Sequence, residues 1–225
     1  MGKNAKNSFQ FYTRLHLSEA TGLKAETLTE LLNMLKVVPG SSIYHHTHRF
    51  LQQHQFYSPE PPNDFAYWVR EALGEDELAE SVASVDIVQF STIRELREEI
   101  ISRVEKYINQ NTTTANRVVK SNKIFYFIKS TSFIIRTPYV VNNLNEFCEA
   151  LKKISINSLY FHIFESRLRL ENESNDFSRW VEMSLGNKEL ASAISNIDPY
   201  TFAMEDLRKI VIKLVEKAVQ NAENK

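Results

Sequence analysis

Two kinds of apolar pattern alternate along this chain. Phe9 to Leu17 and Ile124 to Ile135 are aromatic and β-branched runs, a composition that suits a pleated, half-buried strand better than a helix. A lone strand cannot satisfy its own edges, so both openings are expected in one small shared sheet, with direct pairing between them as one arrangement. Elsewhere the apolar spacing changes to three and four. Leu28, Leu31, Leu32 and Leu35 recur on one face of a helix expected over about 25–37, with a counterpart over 141–153. Ile93, Leu96, Ile100, Ile101 and Val104 form the stripe of a final long helix from about Thr92 to Ile108, matched by one from about Met204 to Ala222.

The breakers divide what lies between. Pro39 and Gly40 end the first helix, and Ser41 or Ser42 can cap the next, which carries several histidines and is expected to reach about Gln55. Its counterpart begins near Asn157. The prolines of SPEPPND then force an extended turn. Asn63 is placed to cap a helix through Leu73 with Asp64 in its first turn, and Gly74 separates that helix from a short one ending near Ser84.

The elements recur because the sequence does. NDFAYWVREALGEDELAESVASVDIVQF at 63–90 and NDFSRWVEMSLGNKELASAISNIDPYTF at 175–202 agree at 12 of 28 positions without a gap. Further back, SSIYHHTH at 41–48 aligns with NSLYFHIF at 157–164, pairing Ser42 with Ser158, Tyr44 with Tyr160 and His46 with His162. RELREEIISRVEKYI likewise pairs with EDLRKIVIKLVEKAV. The pattern predicts a mainly α protein with a minor β component (α+β), a tandem duplication of one strand followed by about five helices, related by a pseudo-two-fold. The units are expected at 1–111 and 112–225, packed as one protein, with the Asn/Thr-rich stretch 109–122 as linker.

Charge and composition narrow the chemistry. Lys and Arg number 27 against 28 Asp and Glu, so no global field draws in nucleic acid, and no apolar stretch is long enough to span a membrane. Cys148 is the only cysteine, which excludes an intrachain disulfide and points to a reducing, cytoplasmic setting. No glycine-rich nucleotide loop is present. His45 and His48 are replaced by Phe161 and Phe164 in the second copy, which suits packing positions better than ligand positions. His46 and His162 are kept in both copies, as are Asp64 and Asp176. A helix-borne histidine beside a carboxylate can have one ring nitrogen oriented and the other available, or can simply be a buried residue bonded to the aspartate. Arg49 and Glu165 occupy matching positions, so an ion pair between them is one expectation, and contact of Arg49 with an anionic ligand, assisted by Arg167 or Arg169, is another.

SSIYHHTHRFLQQH, PEPPNDFAYWV and SLYFHIFESRLRLENESNDFSRWVE together resemble a prokaryotic family known as a domain of unknown function. The resemblance implies a prokaryotic, cytoplasmic protein with this duplicated helical layout, and it brings no substrate, cofactor or catalytic role. The residues themselves favour a non-catalytic module for a small ligand or a protein partner, built on a polar cleft near the pseudo-dyad. Its candidate contacts are Tyr44, His46, Arg49, Asp64, Tyr160, His162, Glu165 and Asp176. No cofactor is expected on this reading. The alternative is a metal-dependent hydrolase in which His46, His162 and one or more of Glu165, Asp64 and Asp176 hold a divalent ion such as zinc. The expected partner is a small anionic ligand or a protein, not nucleic acid or membrane, and monomer is the default state.

Overall fold

The computed structural model describes residues 4–49, 63–87, 89–166, 174–197 and 202–223. The expected continuation of the histidine helix to Gln55, the proline turn at 58–62, and Arg167 and Arg169 lie outside these residues. The fold is mostly helical, with one two-stranded antiparallel sheet. Strand β1 (Phe9–Ala25) is followed by α1 (Leu28–Val37), α2 (Gly40–Tyr44), α3 (Asp64–Trp68), α4 (Asp76–Ala83) and α5 (Ile93–Gln110). Strand β2 (Phe125–Val141) is followed by α6 (Leu144–Lys153), α7 (Ile156–Tyr160), α8 (Asp176–Trp180), α9 (Lys188–Ser195) and α10 (Met204–Glu223).

The strands pair with each other, and both are longer than their apolar runs. Their later portions read as polar or mixed because the side chains there are largely exposed, so burial leaves no alternating signature. The chain forms two compact units, one of His16–Thr131 and one of Met1–Leu15 with Ser132–Lys225. The sequence reading instead places a boundary near 111. The difference arises because each strand begins in one unit and ends in the other. Phe9 and Phe11, from the start of β1, stand among Phe147, Phe177 and Trp180. Phe125 and Phe127, from the start of β2, stand against Phe65, with Trp68 edge-on to Phe125. These rings are buried, and each stabilises its unit by roughly 1.5–3 kcal/mol through removal from water.

Helix ends follow local chemistry. Asn63 accepts the Ala66 N–H at 2.8 Å, Asn175 accepts that of Ser178 at 2.9 Å, and Thr92 forms a capping box with Glu95. Gly74 and Gly186 sit at φ 67° and 70° just past the segments they end, a left-handed conformation that glycine adopts without a Cβ penalty. Neither Ser41 nor Ser42 caps α2. Pro39 occupies the cap, its carbonyl accepting the Ser42 N–H at 2.9 Å, and Ser42 is buried. The polar stretch after α5 is also less loose than its composition suggests. Ala115 and Val119 are buried, the Ala115 carbonyl accepts the Thr29 N–H, and the Val119 N–H reaches Glu26.

Four of the short α-helices' continuations are π-helical: His45–Arg49, Val69–Leu73, Phe161–Glu165 and Val181–Leu185. Such wide turns are rare and concentrate where a helix must aim a particular side chain. Two of them carry His46 and His162. Among the described residues no helix is long and apolar enough to cross a membrane.

Candidate functional site

In the unit of Met1–Leu15 and Ser132–Lys225, α7 meets the start of β1 through two side chains one turn apart. Ser158 Oγ donates to the Tyr12 carbonyl at 2.6 Å, and His162 Nε2 accepts the Tyr12 N–H at 2.8 Å. On an antiparallel strand the N–H and C=O of one residue point the same way, so one serine and one histidine satisfy both backbone groups of Tyr12. The other ring nitrogen, Nδ1, lies 2.7 Å from Asp176 Oδ2. Because Nε2 is an acceptor, the ring proton belongs on Nδ1, where it is donated to the carboxylate. His162 therefore acts as a clamp that fastens a strand to α7 and α7 to the first turn of α8.

The unit His16–Thr131 contains the same histidine clamp without the serine bond, Ser42 Oγ being buried with no hydrogen-bond partner among the described residues. His46 Nε2 accepts the Ile128 N–H at 2.9 Å, and Nδ1 lies 2.7 Å from Asp64 Oδ2. Trp68 Nε1 donates to the Lys123 carbonyl just before β2, as Trp180 Nε1 donates to that of Asn7 just before β1. The aspartates thus orient the histidines as the sequence suggests, but the second ring nitrogen is taken by the backbone and is not available to bind a metal or move a proton. Sequence reading missed the strand partner because a backbone N–H carries no residue signature. Ser158 had one: a serine stands four residues before the retained histidine in both halves.

The remaining candidates are buried or half-buried. Tyr44 is buried with its ring stacked against His16 and against His48. Tyr160 stacks on Phe164 at 4.6 Å. Glu165, 2% exposed, is held within its own unit by Arg14 Nη1 at 2.7 Å, and the Arg14 guanidinium lies over the Phe161 ring. Arg49 is half-buried at the end of its π segment. His45, matched to Phe161, lies 2.9 Å through Nδ1 from Ser130 Oγ, and burial pushes its pKa down to about 4, assisted by the neighbouring His46. Cys148 is buried, which raises its pKa and disfavours the reactive thiolate. Among the described residues no three His, Cys, Asp or Glu side chains are grouped to hold a metal ion. His46 belongs to one unit, and His162 and Glu165 to the other.

A cavity of about 540 Å³ opens beside the His162–Asp176 clamp, within the usual range for small-molecule sites. Its aromatic wall comes from Phe9, Tyr12, Phe161 and Trp180, and Ile134 and Met183 stand at its exposed rim. Gln10, Asp176 and Arg179 supply polar groups. The Gln10 amide nitrogen donates to the Phe11 and Thr137 carbonyls, both at 2.8 Å, which turns its side-chain oxygen into the remaining acceptor. Arg179 is exposed, and its guanidinium has no hydrogen-bond or ion-pair partner among the described residues. Of the expected contact residues only His162 and Asp176 line this cavity. Arg179 escaped notice because it lies inside the repeated segment at a position the halves do not share.

Residues 6–216 match the model of a family described as "Family of unknown function (DUF5752)". No curated protein matches the chain. Among solved structures, "The structure of OrfY from Thermoproteus tenax" superposes with a TM-score of 0.79 at 27% identity, covering 96% of this chain and 97% of that one.

Proposed function

Given that the chain belongs to the DUF5752 family of unknown function, we propose from its own geometry that it is a non-catalytic small-ligand-binding module whose site is the cavity beside His162. The observation that carries this reading is an open, aromatic-walled cavity that adjoins a fully engaged His–Asp pair. Catalysis by general base would need a ring nitrogen to accept and release a proton, and both are committed to structural bonds. Binding needs only walls and a few placed polar groups.

The same proposal treats the chain as a tandem duplication. Its support is the agreement of the two Asn-Asp-Phe segments and the presence of one clamp in each unit. On that view, what both halves retain is structural, and what one half alone carries is the candidate for function. His46, His162, Asp64 and Asp176 fall in the first class, and Arg179, aligned with Tyr67, falls in the second. A prokaryotic, cytoplasmic setting completes the reading, supported by the Thermoproteus tenax source of the similar structure and the single cysteine.

Ligand-observed NMR with a mixed fragment set tests it, with Ile134→Trp as control. Ile134 is half-exposed on β2 at the rim, where an aromatic residue suits the strand and fills the mouth. Fragments should bind the wild-type protein and lose that binding in I134W. A fragment set with no binder sensitive to this substitution sinks the cavity as a ligand site.

A further inference from the structure

We infer that the occupant of this cavity is an amphipathic monoanion, a flat apolar body carrying one carboxylate, with the carboxylate paired to Arg179. This rests on the cavity being a ligand site, and it adds the ligand's chemical class. Three features of the lining lead to it. Tyr12, Phe161 and Trp180 present an aromatic wall, which favours a planar apolar body through burial and offset ring contact. Arg179 brings a guanidinium with no protein partner among the described residues, a group whose fork matches a carboxylate in two-toothed fashion. Asp176 stands one helical turn before it on the same wall, with its charge shared with the His162 N–H. A second negative charge on the ligand would meet that carboxylate, so a single charge is preferred over a phosphate dianion.

The aligned positions of the other half argue the same way. Where this wall has Arg179 and Met183, the first half has Tyr67 and Glu71. The cation is absent there and a carboxylate takes the place of the apolar rim residue, so the chemistry that would hold an anion belongs to one half only. The clamps beneath are common to both, which makes the difference one of recognition and not of folding.

The test titrates the full chain at pH 7 with 3-phenylpropionate, its neutral amide 3-phenylpropionamide and phenyl phosphate, following the Trp180 indole and Tyr12 amide signals by NMR. The carboxylate is expected to bind at least tenfold more tightly than the amide, in line with one charge-assisted pair, and more tightly than the phosphate. Arg179→Gln, at an exposed site with no bonds to lose among the described residues, should remove the preference for acid over amide by bringing the acid's affinity down to that of the amide. Equal affinity for acid and amide, or an unaltered preference in R179Q, overturns the ligand class while leaving an I134W-sensitive cavity intact. Binding of none of the three also overturns the class. Failure of the cavity itself is read separately, from the absence of any I134W-sensitive fragment.

Discussion

Lowering the pH should destabilise the unit His16–Thr131 through His45, and the size of the loss follows from its surroundings. The imidazole is 8% exposed and bonded to Ser130, with His46, Arg49 and His16 disfavouring a positive charge and only Asp64 favouring it. Its pKa falls from 6.5 to about 4 in the folded protein. The unfolded chain therefore binds more protons between these values, so stability is complete above pH 6.5 and is lost progressively as pH falls toward 4. At about 1.4 kcal/mol per pKa unit, the loss reaches about 2 kcal/mol at pH 5 and about 3 kcal/mol below pH 4. His45→Phe isolates this contribution, because phenylalanine already stands at the aligned position 161. The variant gives up the Ser130 bond, a loss of about 1 kcal/mol that does not depend on pH. Urea unfolding of both proteins at pH 7 and pH 5 should then show H45F gaining about 2 kcal/mol on the wild type as the pH falls. Carboxylate titration cancels in the comparison. If the difference between the two proteins is the same at both pH values, burial does not hold this imidazole neutral and the argument fails.

Other outcomes follow from the same contacts. His162→Ala should cost about 3 kcal/mol or more in chemical denaturation, since it strands the part-buried Tyr12 N–H and the Asp176 carboxylate and leaves a void. Hydrogen exchange at the Tyr12 amide should accelerate in that variant, and unchanged protection would refute the clamp. Asn63→Ala removes both the Ala66 cap and a bond to the Val82 carbonyl, and should lower stability by about 1–2 kcal/mol in thermal or urea melts. Dialysis against EDTA should leave the unfolding midpoint in place; a fall that zinc reverses would favour the metal-site alternative.

Much of the local architecture was legible because its causes are local. The leucine spacing of α1, the Asn63 and Asn175 caps and the left-handed turns at Gly74 and Gly186 all act within a few residues of their sequence signals. Retention of His46 with Asp64, and of His162 with Asp176, likewise drew attention to two pairs that are in contact. The compact units His16–Thr131 and Met1–Leu15 with Ser132–Lys225 were not legible, because a repeat in sequence marks where a segment recurs and not which helices its strand will cover. The π-helical turns were also silent, since a single widened turn leaves the apolar spacing almost unchanged.

By itself, the sequence determined the strand or helix character of the elements, the Asn63 cap and the break at Gly74, the repeated order of elements and the identity of the histidine and aspartate partners. Periodicity and capping are short-range effects, and a resemblance between two segments needs no coordinates to be seen. Only the tertiary structure decided that each strand is shared between two units, that a backbone N–H occupies the second nitrogen of both histidines, and that Arg179 stands beside an aromatic cavity with no partner among the described residues. Those outcomes depend on which surfaces meet across long separations, 82 residues for His46 with Ile128 and 150 for His162 with Tyr12, where burial of Phe9, Phe11, Phe125 and Phe127 selects the partner.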